Sequence, residues 1–165
     1  MSPSKRTRLF LRAAGAALLG SSLLAGCAAQ IPVDPKGTLQ DVRHDTLRVG
    51  ISPNREFVDV RDGQYTGDEV ELVKDFAKGL DAEVQWTLGG EEHLVKQLRE
   101  GKLDMVAGGI TAKTPWSKEV GITRPYRTVT EEDGKQAQLV LLVPPGENAF
   151  LGELEYFLDQ TQEMP

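Results

Sequence analysis

The residues that could do chemistry cluster after one strand. The stretch MVAGGITAKTPWSKEVGITRPY, Met105 to Tyr126, opens with apolar and small residues and breaks at Gly108-Gly109. Adjacent glycines at the end of an apolar strand mark a place where a ligand or another backbone approaches closely. Thr111 then offers a hydroxyl and Trp116 an indole face. A second group, Asn54 and Phe57, follows Ser52-Pro53 at the end of an earlier apolar run. Each has a plainer reading. The glycines would also let a helix pack closely, and Thr111 would also cap the turn after it. Trp116 and Phe57 would equally serve as packing residues, and Asn54 as a turn residue after Pro53.

Other chemistries find little support. His44 and His93 are far apart, with no cysteine or regularly spaced carboxylate beside them, so no metal site is expected. TLGGEEH lacks the Gly-Lys-Ser/Thr ending of a phosphate loop. No Ser-His-Asp or Cys-His arrangement stands out, so binding without catalysis and without a cofactor is expected. Glu91-Glu92 and Glu131-Glu132-Asp133 read as solvated surface.

These residues need elements to position them. LRVGI (47–51) reads as a strand, and FVDVR (57–61) as one arm of a hairpin turning at Asp62-Gly63. In DEVELVKDFAKGL, Val70, Val73, Ala77 and Leu80 share a helical face, with acidic residues in the first turn where the helix dipole favours them. AEVQWT (82–87) is a second strand and EEHLVKQLREG (91–101) a second helix, with Gly101 at its C-terminal cap. LDMVAGGI (103–110) is a third strand. This alternation predicts an α/β fold with a mainly parallel sheet and right-handed crossovers. Ligands then bind outside the carboxyl ends of the strands, where residues 52–57 and 108–111 fall. YRTVT and QAQLVLLV flank EEDGK as a hairpin, and AFLGELEYFLDQ is a closing helix.

The N-terminus reads as a leader, not as fold. Lys5, Arg6, Arg8 and Arg12 precede an apolar or small run from Ala13 to Leu24, too short for a comfortable bilayer span. The run ends in LLAGC, which resembles the lipobox of bacterial lipoproteins. That resemblance implies cleavage after residue 26 and acylation of Cys27, with palmitate among the expected chains. Cys27 is the one cysteine of the chain, so no internal disulfide competes for its thiol. Removing the leader takes 4 of 19 basic residues and leaves 25 acidic ones, a net charge of −10. Such a surface disfavours nucleic acid and anionic lipid as partners. The expected organisation is a signal peptide over 1–26, a tether over 27–45, one domain over 46–160 and a tail over 161–165.

Over residues 47–126 the sequence resembles the first lobe of family 3 periplasmic solute-binding proteins. The most specific stretches are TGDEVELVKDFAKGL, LREGKLDMVAGGIT and the closing RPY. The resemblance implies one lobe of a type II periplasmic-binding-protein-like fold, with three layers, a mostly parallel sheet, a closing hairpin and a C-terminal helix. It also implies an extracytoplasmic receptor for a small polar, amino-acid-like solute, working with an ABC permease or another envelope protein. The hairpin stands where a second lobe would be expected, and LLVPPGENAFLGELEYFLDQ looks like the returning strand, loop and helix. Ligand-binding candidates carried over are Asn54, Phe57, Gly109, Ile110, Thr111 and Trp116. Counted without gaps from Gly109 to Tyr126, Trp116 occupies the position where amino-acid-binding members carry a carboxylate-gripping arginine. An alternative reading is therefore an interaction or sensor module whose cleft has lost that grip.

Overall fold

The computed structural model describes residues 34–162 apart from Arg55 and Glu132. Cys27 and the rest of the leader reading lie outside the described residues. Strand β1 (Thr46–Ile51) is the spine. Its Leu47, Val49 and Ile51 point into one core and Gly50 faces the other. A Cβ on Gly50 would press on Leu103, Leu94 and Val106 of that second core. The hairpin β2 (Asp59–Arg61) and β3 (Gln64–Thr66) follows, turning at Asp62-Gly63 as the dipeptide predicts.

Strands β4 (Glu83–Leu88) and β5 (Met105–Ala107) flank β1, both parallel to it. Strand β6 is Gly121–Ile122, β7 is Arg127–Thr130 and β8 is Gln136–Leu139. Strand β9 (Leu142–Val143) inserts antiparallel between β5 and β6, giving the order β4-β1-β5-β9-β6. Strands β7 and β8 pair with each other as a separate hairpin.

The helices are α1 (Thr38–Val42), α2 (Asp68–Gly79), α3 (Glu91–Arg99) and α4 (Asn148–Gln162). Helices α2 and α4 cover one face, where Phe76 lies 5.8 Å from Phe150 and 5.4 Å from Phe157 between ring centroids. Helix α3 covers the other with Leu94, Val95 and Leu98, against Leu103, Val106 and Leu142. Burial on both faces makes the core strands near-continuous apolar runs. The result is an α/β fold with a mainly parallel sheet, as the alternation of elements predicts, in the three-layer lobe that the family resemblance implies.

Two stretches differ from their reading. Residues 34–45, read as tether, carry α1, whose Thr38 and Val42 are buried. Five helical residues are too few to display a period, so composition alone suggested a linker. Residues 136–143, read as one hairpin arm, divide into β8 and β9. Leu139 and Leu141 enter one core while Val140 and Leu142 enter the other, so this run belongs between layers and not on an exposed ribbon. Strand β6, only two residues long, was not anticipated.

Candidate functional site

The strand ends are organised by a carboxylate that the sequence reading placed merely in a helix's first turn. Glu69 is 1% exposed. Its Oε2 accepts the N–H of Gly108 at 2.7 Å and of Gly109 at 2.9 Å, and its Oε1 accepts the Tyr126 hydroxyl. All three partners are donors, so both oxygens of the buried carboxylate are engaged. Burial, then the neighbouring charge of Glu69, pushes the Tyr126 phenol far up, so it stays a donor. Glu69, Val73 and Phe76 recur at i, i+4 and i+7 on the buried face of α2. That spacing was the available signal for an inward-facing acid.

The Gly108-Gly109 pair is explained by close approach of the chain to itself. Gly108 has φ 141 and Gly109 φ 70, both in the region that favours glycine. A Cβ at Gly108 would collide with the Ser52 carbonyl, and one at Gly109 with the Asn54 amide and the Phe57 ring. Gly67 is constrained in the same way by the Phe57 carbonyl. Three glycines thus lock Ser52, Asn54 and Phe57 against the start of α2 and the end of β5.

The structure brings Asn54, Phe57 and Gly109 together and separates the other candidates. Asn54 is half-buried, and its carbonyl accepts the N–H of Phe57 at 2.9 Å and of Val58 at 2.6 Å, so it closes a turn. Phe57 is buried in the larger core. Ile110 is 2% exposed in the α3-side core. Its carbonyl accepts the N–H of Val140 at 2.9 Å, and Thr111 bridges to Leu139. Thr111 is half-buried.

Trp116 sits in a 3-10 turn (Pro115–Lys118) whose start is capped by Thr114. Its Nε1 donates to Glu91 at 3.2 Å, in the first turn of α3, and its ring packs on the α3-side core. A groove of about 440 Å³ runs past it, lined by Glu92, His93, Lys96, Arg99 and Glu119 among others. Of the residues available to an external ligand at the strand ends, the half-buried Asn54, Thr111 and Trp116 remain. Phe57, Gly109 and Ile110 shape the platform from beneath.

Other concavities lie elsewhere. A shallow one of about 720 Å³ opens at the amino ends of β1 and β4, around His44, Asp81, Lys74 and Trp86. A small one of about 290 Å³ lies between Ala112-Lys113 and the β7–β8 hairpin. Among the described residues no group of three or more acidic, histidine or cysteine side chains comes together to hold a metal.

The arrangement, an α/β lobe with its strand-end loops fixed around one buried acid, is that of a binding protein's lobe. Residues 47–164 match the bacterial extracellular solute-binding proteins, family 3, and the chain belongs to that family. A probable histidine-binding protein of Campylobacter jejuni is 33% identical over 82 residues, which are 49% of this chain and 32% of that protein. The chain therefore matches about a third of that relative's length, 32%. The arginine-bound form of domain 1 from TmArgBP superposes with a TM-score of 0.62 at 25% identity, over 70% of this chain and 92% of that one. AncCDT-1, an ancestral amino acid-binding protein and precursor of cyclohexadienyl dehydratase, gives 0.68 at 18% identity, over 76% and 93%. The second likeness is one of fold.

Proposed function

We propose that this protein binds a small, polar, amino-acid-like solute on its strand-end face and passes it to an ABC-type importer. Binding, not catalysis, is its task, and lipid on Cys27 holds it at the outer side of a cell membrane. The observation that carries the reading is the Glu69 knot. A buried carboxylate uses both its oxygens to fix one strand end and the Tyr126 hydroxyl. Such rigidity suits a surface that must be preorganised for a ligand. Family membership and the names of the relatives support the same solute class.

The affinity of the lobe is low. A solute on an open face is buried on one side only. The position of the family's carboxylate-gripping arginine holds Trp116, whose indole N–H is committed to Glu91. Losing a charge-assisted bidentate contact costs on the order of 2–5 kcal/mol when the partner is buried, roughly 30-fold to several thousand-fold in affinity.

Calorimetry of the protein against a panel of amino acids including arginine and histidine tests this. Dissociation constants in the high micromolar to millimolar range are expected. A low-micromolar constant would overturn the weak-lobe reading. Complete absence of binding would overturn the solute reading and leave the face to a macromolecular partner.

A further inference from the structure

We propose that the groove between Ala112-Lys113 and the β7–β8 hairpin is an anion subsite that takes a carboxylate of the solute. The proposal rests on the solute-binding reading above and adds the chemical group recognised and the place. The groove holds about 290 Å³ and is lined by Ala112, Lys113, Thr128, Gln136, Ala137 and Gln138. That volume is near the lower end for ligand sites, of order 300 Å³, so it suits one functional group rather than a whole solute.

The lining is one-sided in its chemistry. It offers an ammonium, a hydroxyl and two carboxamides, and no carboxylate. Pairing geometry puts these groups on one face. In β8, Gln136 and Gln138 are exposed while Ala137 and Leu139 are buried, as a period of two requires. Thr128 stands directly opposite Gln138 in the ladder. The loop carrying Lys113 is fixed along the free edge of β8, beside this face, because Ala112 donates its N–H to the Gln138 carbonyl at 2.8 Å and Thr111 bridges to Leu139.

The charges around the groove leave Lys113 available. Among the described residues it forms no hydrogen bond or ion pair, whereas its basic neighbours are matched. Arg127 pairs with Asp68 at 2.8 Å and Lys135 with Asp133 at 2.6 Å. Asp133 feels the charge of Lys113, but its oxygens are taken by the Lys135 ammonium and by the Lys135 N–H at 3.0 Å. In a strongly acidic chain, a patch with one ammonium, three neutral donors and no carboxylate selects an anion over a cation. Thr111 adjoins the groove, so a carboxylate there would leave the rest of the solute over the strand-end platform.

The test is an amide-resolved NMR titration of the protein with sodium succinate and with succinamide, its neutral counterpart. Succinate should move the amides of Ala112, Lys113, Thr128 and Gln136–Gln138, and succinamide should not. Lys113→Gln should weaken succinate about tenfold, while Lys118→Gln, exposed on the 3-10 turn, should leave it unchanged. Equal shifts with both probes, or succinate binding untouched by Lys113→Gln, would overturn the subsite. Amino-acid binding that is likewise indifferent to Lys113→Gln would sink the subsite and leave the solute reading standing. Lys113-dependent succinate binding with no amino-acid binding would do the reverse.

Discussion

Glu69 shows what a buried acid contributes when both its oxygens are engaged. Replacing it by alanine strands the N–H groups of Gly108 and Gly109 and the Tyr126 hydroxyl. Gly108 and Tyr126 are buried and Gly109 half-buried; each orphaned buried group costs about 1–3 kcal/mol, so Glu69→Ala should lower unfolding stability by at least about 2 kcal/mol. Tyr126→Phe removes one of the three bonds and should cost about 1–3 kcal/mol by the same rule. Urea unfolding midpoints decide the matter, and a Glu69→Ala protein as stable as the parent would refute the knot's importance. At this scale the sequence was partly legible. The glycine pair announced a close approach, and its partners are the chain's own Ser52, Asn54 and Phe57. Glu69 was hidden because a first-turn acid already has a satisfactory explanation in the helix dipole. Only its alignment with Val73 and Phe76 betrays it. Trp116 resolved toward packing on α3, with a polar handle on Glu91.

Among elements, the junction of α1 and α4 was invisible beforehand. Glu147, 1% exposed, accepts the N–H of Lys36 at 2.9 Å and of Thr38 at 3.0 Å. Asp34 accepts the N–H of Leu39 at 2.9 Å and of Phe150 at 3.5 Å. Two acids far apart in sequence thus cap the starts of two helices, where the dipole favours negative charge. Burial pushes the Asp34 carboxyl up; the Leu39 N–H opposes this, while the hydrogen bond to Glu147 and its charge add to the rise. Burial also pushes Glu147 up, but the Thr38 N–H and hydroxyl, the Lys36 N–H and Asp34 outweigh it and hold it low.

The signs are opposite. The folded chain binds the Asp34 proton more tightly than the unfolded chain, so that contribution grows as pH falls toward the carboxylate range. The Glu147 contribution is present above the ordinary carboxylate range and is lost on further acidification. Asp34→Asn should remove the first effect, while the Thr38 and Lys36 N–H groups continue to hold Glu147 low. Thermal melting from neutral pH into the carboxylate range would then show no gain on mild acidification. A gain equal to the parent's would show that another group is responsible. Elements with long periods (α2, α3 and α4) were readable because burial imposes a repeat of 3.6. Helix α1 and strand β6 were not, because two to five residues display no repeat and tertiary contacts alone create them, and β9 was legible only through the family resemblance, as the returning strand.

For the whole molecule, the described residues make one lobe with cores on both faces of a five-stranded sheet. Helix α4 contributes the buried Phe150, Leu154 and Leu158. Truncating such side chains costs about 2–5 kcal/mol apiece, against a total stability of about 5–15 kcal/mol for a domain. Deleting residues 146–165 should therefore abolish cooperative unfolding, as circular dichroism during a melt would report. An unchanged melt would contradict the layer assignment. If Cys27 carries the lipid, Cys27→Ser should move the protein from the membrane to the soluble extracytoplasmic fraction. A mutant that stays membrane-bound, with a parent lacking lipid mass, would refute the anchor.

Strand β9 has a further consequence, in the order of events during synthesis. It is the last strand among the described residues, yet it lies between β5 and β6. A chain emerging from a ribosome or through a translocation pore exposes β1, β4 and β5 long before the strand that completes their sheet. Until residue 143 is free, β5 has an open edge and β6 has no neighbour to join. The helix that seals one face comes later still. Contacts of such long sequence separation form slowly, because loop closure precedes any gain. The nascent chain is thus held back from its native state until residue 143 and the helix after it have appeared.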